Sequence, residues 1–283
     1  MSPTNRRPSP RNRPPQGGGR PTGRSGGPTQ RRRAEGLGGD QIEGRHAIIE
    51  LLQAQTRPAT RVFMAADLDP SPELDRIEQL CRERRVPLEM VSRARISREA
   101  ATESHQGVVA KARPLKSLDL EELVSSGPQH ETPFLLIADG ITDPHNLGSL
   151  LRSAECAGVT GIVVPKHRAA RITPTVTKVA AGAIEHLRFS QVAGIPTAIE
   201  HLKRMGVVVV GLAGESRTSL YDTNLGSNPI ALVIGSEESG LAQLTRKRCS
   251  SVCSIPMRGS TESLNASVAG AIAIFEAARQ RRG

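Results

Sequence analysis

Four short and almost entirely apolar segments recur between residues 133 and 235, and each is followed by a stretch with helical spacing. They read FLLIA (134–138), GIVVP (161–165), GVVVVGL (206–212) and IALVIG (230–235). Strands that are apolar on both faces are typical of a parallel sheet covered by helices on both sides. The pattern predicts an α/β domain over residues 133–283. Ligands of such sheets bind beyond the carboxyl ends of the strands, here in the loops after residues 138, 212, 235 and 255.

The preceding segment has a different order of elements. GRHAIIELLQA (44–54) predicts a helix, TRVFMA (60–65) a strand, and residues 72–84 a second helix with one apolar stripe. Further strands are expected near residues 87–91 and 107–112. The alternation predicts a small α/β/α domain at 40–112. Residues 113–132 mix charge with Gly and Pro, which predicts a linker.

The positive charge of the chain is concentrated at its N-terminus. The formal net charge is +10, and residues 1–34 contain nine arginines and no acidic residue, which leaves 10 − 9 = +1 for the remainder. Residues 1–39, rich in Arg, Pro and Gly, are expected to be disordered and to attract a polyanion such as RNA. A targeting presequence is the alternative, but the segment lacks the apolar stretch of a signal peptide.

Cysteine usage and hydropathy predict a soluble, cytoplasmic protein. The four cysteines lack the paired C-x-x-C spacing of zinc sites, so we expect buried thiols, a reducing compartment and no metal. They are Cys81, Cys156, Cys249 and Cys253. The longest apolar run, Val207 to Ala213, is far shorter than the ~20 residues of a membrane helix, so no membrane association is expected.

The segment DPHNLGSLLRSAE (143–155) predicts a helix from about 146 to 157 with an unusual outer face. Its buried stripe follows helical spacing and comprises Leu147, Leu150, Leu151 and Ala154. Arg152 lies above two small residues, so its guanidinium is expected to extend along the helix toward Asn146. Such a helix start suits a phosphate or a ribose. The alternative is a helix capped by Asn146 with a solvated arginine.

The segment VIGSEESGL (233–241) has the glycine spacing of a phosphate loop without its chemistry. Leu241-Ala242 stands where Lys-Ser/Thr would hold phosphates and Mg²⁺, which excludes a Walker A motif. No G-x-G-x-x-G occurs, which argues against a Rossmann dinucleotide enzyme. Glu237 and Glu238 suit cations or hydroxyls rather than phosphates. A solvated loop is the alternative interpretation.

The third candidate loop precedes the last helix, in SIPMRGSTESLNASVAGAIAIFEAARQR (254–281). The helix is expected to bury Val268, Ile272 and Phe275. The turn before it contains Gly259, Ser260, Ser263 and Asn265, and offers many backbone donors and acceptors with little side-chain bulk. It suits an adenosine recognised through the main chain, although an ordinary capped loop would have the same composition.

Taken together, these segments resemble the three motifs of the SpoU branch of the SPOUT methyltransferases. The resemblance rests on LLIADGITDPHNLGSLLRSAECAGVTGIVVP (135–165), GLAGE (211–215), LVIGSEESGL (232–241) and IPMRGSTESLNASVAGAIAIFEA (255–277), and covers residues 134–281. GRHAIIELL (44–52) and HQGVVA (105–110) resemble the L30e-like RNA-binding domain of the 23S rRNA guanosine-2′-O-methyltransferase group. That part of the resemblance is shorter and weaker.

The resemblance implies a C-terminal SPOUT domain whose mostly parallel sheet carries a deep trefoil knot, an exception to the rule against knots. It implies S-adenosyl-L-methionine as cofactor and a homodimer with the active site at the subunit interface. Cofactor contacts are carried over to Ala213, Gly214, Gly235, Ile255, Met257, Ser263 and Leu264. Catalytic and substrate roles fall on Asn146, Arg152, Glu237, Ser263 and Asn265.

In the family, the residue matched by Arg152 is held to activate the ribose hydroxyl. Because arginine has a pKa above ~12, it is a poor base, and we expect a clamp on the target phosphate and the developing alkoxide. Asn146 is expected to orient Arg152 or the ribose, and Glu237 to fix the loop or the guanidinium. Asn265 is expected to fix the cofactor or the ribose.

The expected activity is 2′-O-methylation of ribosomal RNA at a guanosine of 23S rRNA. Aromatic residues make up 2% of the chain, so RNA should be held by shape and phosphates, with Arg61, Arg84, Arg85 and Arg93 as candidate contacts. The alternatives are 2′-O-methylation of tRNA or another rRNA site, and a non-catalytic RNA-binding protein of ribosome assembly. Binding of S-adenosylmethionine would separate the catalytic and non-catalytic interpretations.

Overall fold

The computed structural model describes residues 36–125, 132–167, 169–226, 229–261 and 263–282. Over these ranges the chain forms two β-sheets with flanking helices. The strands are β1 Gln41–Glu43, β2 Ala59–Ala65, β3 Leu88–Val91, β4 Val108–Ala112, β5 Ser117–Leu118, β6 Phe134–Asp139, β7 Gly161–Pro165, β8 Phe189–Val192, β9 Val208–Leu212, β10 Ile230–Gly235 and β11 Ser251–Cys253. The helices are α1 Arg45–Ala54, α2 Pro72–Arg84, α3 Arg93–Glu99, α4 Leu120–Ser125, α5 Pro144–Cys156, α6 Pro174–Val179, α7 Ile195–Arg204, α8 Gln243–Arg248 and α9 Ala266–Arg282.

The larger sheet has the strand order β11-β9-β10-β6-β7-β8-β5. Every pairing in it is parallel. The predicted mostly parallel sheet is therefore confirmed. Because the central strands β10 and β6 are side by side, the loops after Gly235 and Asp139 leave the sheet at the same edge.

Helices cover both faces of this sheet, which explains why its strands are apolar throughout. Leu136 and Ile234 face one core, shared with α5, α6 and α9. Leu135 and Val233 face the opposite core, shared with α4 and α7. The helix α5 buries the predicted stripe of Leu147, Leu150, Leu151 and Ala154.

The smaller sheet has the order β1-β4-β2-β3 and mixes antiparallel and parallel pairs. One face packs against α1 and α2 through Ile48 and Ile77. The other packs against α3 through Phe63 and Ile96. This is the expected α/β/α arrangement, and α2 spans the predicted residues 72–84.

A buried ion pair joins the two sheets and their helices. Arg57, after α1, donates from Nε and Nη2 to the Glu185 carboxylate at 2.8 and 2.6 Å. Arg57 is 8% exposed and Glu185 2%. Nearby, Glu50 Oε2 and His186 Nε2 are 3.0 Å apart. Because both charges of the buried pair are removed from water, loss of either residue would leave the other as a buried charge without a partner, which is strongly destabilising.

Two segment boundaries differ from the expectation. Residues 36–39 were assigned to the disordered tail, yet Leu37 is 2% exposed and the Gly39 N–H donates to the Ile172 carbonyl at 2.7 Å. Residues 117–125, within the predicted linker, form β5 and α4, because Leu123 is buried in the core of the larger sheet. The tail segment 1–35 and residues 126–131 of the linker lie outside the described residues.

The expected burial was wrong for one cysteine and for one helix face. Cys156 is exposed, whereas burial raises the pKa of the Cys81 and Cys249 thiols to about 11. In α9, Val268 and Phe275 are 47% and 50% exposed, and Ile272 is only partly buried. The helix buries Gly270, Ala273, Ile274 and Ala277 instead. Within the described residues, no helix is both long enough and apolar enough to span a membrane.

Candidate active site

Three loops at the carboxyl edge of the larger sheet bound a cavity of about 610 Å³. They follow β9, β10 and β11, as expected for a ligand site of a parallel sheet. The loop after β9 contributes Ala213 and Gly214, and the loop after β10 contributes residues 235–241. The loop after β11 contributes Ile255, Met257, Ser263 and Leu264. The volume is in the range of small-molecule sites.

Asn146 connects the segments around this cavity. Its Nδ2 donates to Glu237 Oε1 at 2.9 Å, and its Oδ1 accepts from Asn265 Nδ2 at 2.8 Å. The residue is 7% exposed, so both amide atoms are satisfied away from bulk water. One side chain therefore joins the loop after β10 and the start of α9 to the first turn of α5.

The start of α5 explains how Asn146 becomes available for this role. Asp143 caps the helix, and its Oδ1 accepts the His145 N–H at 3.0 Å. Pro144 occupies the first turn, where its missing N–H costs nothing. The helix therefore begins two residues before the predicted start, and Asn146 is not its cap.

The loop after β10 folds back tightly on itself. Ser236 and Gly240 exchange backbone hydrogen bonds of 3.0 and 3.1 Å, and Gly240 has a φ of +62°. A Cβ at Gly235 would collide with the backbone of Gly240. Glycine at 235 therefore lets the loop return to the strand, which places Glu237 within reach of Asn146.

Asn265 also caps α9. Its Oδ1 accepts from the N–H groups of Ser267 and Val268 at 2.9 and 3.3 Å, and from the Ser267 hydroxyl at 2.7 Å. An Asn with its oxygen on these N–H groups is a strong N-cap. Its amide nitrogen remains for Asn146, so capping and the connection between loops use different atoms.

The charge of the cavity indicates what it can hold. Three carboxylates line it, those of Glu215, Glu237 and Glu238, and no lysine or arginine is among its described lining residues. Arg246 of α8 pairs with Glu215. Phosphate groups are unfavourable in such surroundings, whereas a cation is favourable. The small residues leave main-chain groups accessible to a nucleoside.

The seven residues predicted to contact a cofactor, Ser263 among them, all line this cavity, and so does Glu237. Asn146 and Asn265 adjoin it through their hydrogen bonds. Arg152 does not: it is exposed and makes no hydrogen bond or ion pair within the part of the chain that the structure describes. Contrary to the expectation, its guanidinium is not bonded to Asn146, whose amide is already occupied.

Sequence reasoning missed several lining residues. Among the described lining residues that were not predicted, the charged one is Glu215, which ends the segment GLAGE (211–215). Leu212, Ile234, Ala266 and Ala269 supply apolar surface. Their apolar character gave no signal, because core residues look the same in sequence. Within the described residues, no group of three or more His, Cys, Asp or Glu residues could hold a metal ion.

Two family models match the chain and together cover most of the described part. Residues 133–275 match the SpoU rRNA Methylase family. Residues 41–118 match the model described as RNA 2′-O ribose methyltransferase substrate binding. The first contains every residue of the Glu237–Asn146–Asn265 connection.

Two relatives align with this chain over nearly their whole length. The chain is 41% identical over 249 residues to the 23S rRNA (guanosine-2′-O-)-methyltransferase RlmB of Shewanella oneidensis, covering 86% of this chain and 98% of that protein. It is 39% identical over 248 residues to RlmB of Pseudomonas putida, covering 86% and 97%.

Solved structures give the same fold. An RNA 2′-O ribose methyltransferase superposes with a TM-score of 0.70 at 25% identity, covering 86% of this chain and 89% of that one. The SpoU methyltransferase AviRb of Streptomyces viridochromogenes, in complex with the cofactor AdoMet, has a TM-score of 0.71 at 24% identity, covering 86% and 90%.

Proposed function

The chain belongs to the SpoU rRNA methylase family, and we propose that it transfers a methyl group from S-adenosylmethionine to the 2′-hydroxyl of a guanosine in 23S rRNA. Its relatives named RlmB carry that activity in their names and align over nearly their whole length. A segment that matches the substrate-binding model precedes the methylase segment in this chain.

The observation that carries the proposal is the hydrogen-bonded connection Glu237–Asn146–Asn265 beside the cavity. It joins the first turn of α5 to the loop after β10, 91 residues further along the chain, and to the start of α9, 119 residues further along. These bonds fix the three segments relative to one another. Methyl transfer needs such fixed alignment, because an in-line displacement depends on the positions of three atoms.

The cavity fits S-adenosylmethionine in charge and in shape. The cofactor would be held by Ala213, Gly214, Gly235, Ile255, Met257, Ser263 and Leu264, mostly through main chain and apolar contact. Carboxylates around the cavity favour its positive charge. When bound, it supplies a methyl group on a sulfonium, and no metal is needed for that chemistry.

Arg152 is proposed as the clamp on the RNA. As a permanent cation it holds the target phosphate and stabilises the oxyanion that forms as the hydroxyl loses its proton. The new C–O bond forms as the C–S bond breaks, and the proton leaves to phosphate or water. Asn146, Glu237 and Asn265 hold the loops that frame the ribose, and Ser263 contacts both substrate and cofactor.

Because Arg152 lies outside the cavity of its own chain, we propose that it acts in the active site of a partner protomer. The exposed apolar side chains of residues 257–275 support a homodimer. Met257 and Leu264 line the cavity, and Val268 and Phe275 lie two turns apart on one side of α9; all four are at least 38% exposed. Large apolar side chains left exposed in one segment are typical of a protein–protein interface.

A trefoil knot is also proposed for the C-terminal segment. From the edge strand β11 the chain returns across β9 and β10, and α9 packs against α5 and β10. The loop that precedes α9 therefore passes the loops after β9 and β10. Threading through them would hold the cavity together without a disulfide.

The remaining expectations concern the partner and its location. The nine arginines of residues 1–34 would add affinity for RNA that depends on salt and not on base sequence. An enzyme acting on rRNA of a bacterial type works in the cytoplasm, and we propose that location.

The test is a methylation assay with the purified protein, unmodified 23S rRNA and S-adenosylmethionine, followed by mass spectrometry of the nucleosides. We expect 2′-O-methylguanosine at one site per rRNA molecule. Methylation of tRNA or of another rRNA instead would overturn the assignment of 23S rRNA as the substrate. Cofactor-independent RNA binding with no methylated nucleoside would favour a non-catalytic assembly protein.

A further inference from the structure

A second cavity, of about 600 Å³, lies where the smaller sheet meets α6 of the methylase segment. We call it the junction cleft, and its walls are the start of α1, residues 103–107 and Lys178. The two N-terminal motifs of the sequence meet here, since Gln106 Oε1 accepts the Arg45 N–H at 2.9 Å. The proposed methyl transfer uses none of these residues.

The loop that forms one wall is held in place by a buried carboxylate. Glu43 is 0% exposed and accepts the N–H groups of Ala101 and Thr102 at 2.6 and 3.1 Å. Its Oε2 also accepts the Thr102 hydroxyl at 2.5 Å. Because these bonds replace water around a buried charge, they fix the chain that leads into residues 103–107.

The cleft is lined by more fixed cations than carboxylates. Arg45, Arg93 and Lys178 line it together with Glu73 and Glu103, and Arg93 is paired with Asp67 at 3.1 Å. Arg45 Nη1 donates to Ser71 Oγ at 2.9 Å and lies 3.9 Å from Glu73. Its Nε is buried and has no hydrogen-bond partner within the described residues, while the side chain as a whole is 26% exposed. The guanidinium is therefore only partly satisfied by the protein.

Lys178 connects the cleft to the active site. Its Nζ donates to the carbonyl and the hydroxyl of Ser104, which ties α6 to the wall of the cleft. The helix α6 packs closely on α5, since a Cβ on Gly148 would lie 2.7 Å from Val179 Cβ. An RNA strand seated in the cleft would thus be positioned relative to the helix that carries Asn146 and Arg152.

We propose that the junction cleft binds phosphodiester groups of the RNA substrate, with Arg45 as the principal ligand and Lys178 as a second. The proposal rests on the proposed RNA methylation. It adds a specific site that uses both the substrate-binding and the methylase segments. Arg45 acts as a positioning residue, because it binds the RNA at a point distant from the reacting atoms.

The experiment measures binding of unmodified 23S rRNA transcripts as a function of salt for Arg45→Gln and Lys178→Gln. Lys247→Gln is the matched control, because it removes one exposed charge from α8, outside the cleft. We expect each cleft variant to raise Kd about sixfold at 0.1 M salt and to lower the salt slope by about one. Arg45→Lys should restore the slope.

Kinetics separate positioning from damage to the fold. The KM for RNA should rise with Kd while kcat at saturating RNA and the Kd for S-adenosylmethionine stay unchanged. Both cleft variants binding RNA like Lys247→Gln, with the same salt slope, would overturn the inference. If the parent protein binds RNA through the cleft yet methylates nothing, the proposed function fails and the cleft stands.

Discussion

At the residue scale, the amide of Asn146 has both of its ends occupied. Neither partner, Glu237 nor Asn265, is near it in sequence, and each lies in a motif that was noted separately. The sequence therefore singled out all three residues as candidates but did not predict that they bond to one another. An amide pairs according to tertiary contacts, which spacing along the chain does not encode.

Gly214 offers a direct test of the cofactor cavity. It lines the cavity, and nothing lies within 4 Å of the Cβ that a larger residue would have there. Gly214→Phe should therefore fill the cavity without strain and weaken S-adenosylmethionine binding by at least about a hundredfold. Calorimetric titration measures this loss, and an unchanged Tm is the control. Normal affinity would place the cofactor elsewhere.

Substitutions of Arg152 test its proposed role as the clamp on the RNA. Because it lies outside the cavity, Arg152→Ala should leave S-adenosylmethionine affinity unchanged and lower kcat for methylation by about 10²–10⁴-fold. Arg152→Lys should restore little, since an ammonium does not reproduce the two-pronged contact of a guanidinium. Near-normal turnover by Arg152→Ala would refute the assignment.

At the scale of elements, strands were predicted best and helix faces less well. The four apolar segments matched β6, β7, β9 and β10 because a strand covered on both sides is apolar at every position. The short strands β1, β5, β8 and β11 were not predicted, since two to four residues carry too little of a period. In α9 the buried side consists of Ile274 and small residues such as Gly270, Ala273 and Ala277, so the prediction that Val268 and Phe275 are buried was wrong.

The exposed face of α9 predicts how the protomers associate. Phe275→Glu should weaken the homodimer, because it removes half-exposed apolar surface from both copies and adds two charges. We expect the free energy of dimerisation to weaken by about 3 kcal/mol, which raises the dimer Kd about a hundredfold. Sedimentation equilibrium measures the change. Leu244→Glu on α8, also half exposed, is the control and should leave the mass unchanged. An unaltered dimer in Phe275→Glu would exclude this face.

At the scale of the whole molecule, the contact between the two sheets depends on groups that no local pattern reveals. Arg57 lies in a loop and Glu185 in a short 3-10 turn, and the two residues are 128 positions apart in the sequence. The two separate α/β units could be predicted from their element order. Their docking could not, because it depends on side chains that look like ordinary surface charges in the sequence.

Breaking this pair should destabilise the protein. Arg57→Met leaves the Glu185 carboxylate buried without its partner, which costs about 3–5 kcal/mol of unfolding free energy. Urea unfolding measures it, and the double variant Arg57→Met with Glu185→Leu should recover most of the loss. Arg61→Met, which breaks an exposed pair with Glu89, should cost at most about 1 kcal/mol. Equal effects of Arg57→Met and Arg61→Met would contradict the assigned role.

The central claim is that one protomer supplies the cofactor cavity and its partner supplies Arg152. It is tested most directly by unfolding and refolding a one-to-one mixture of Arg152→Ala and Gly214→Phe and measuring methylation of 23S rRNA. Each variant alone should be inactive. Random reassociation makes half of the dimers mixed, and each mixed dimer has one complete site, so about a quarter of the parent activity should return. No recovery in mixtures proven to contain mixed dimers would contradict the claim, because it would place Arg152 in its own protomer's site.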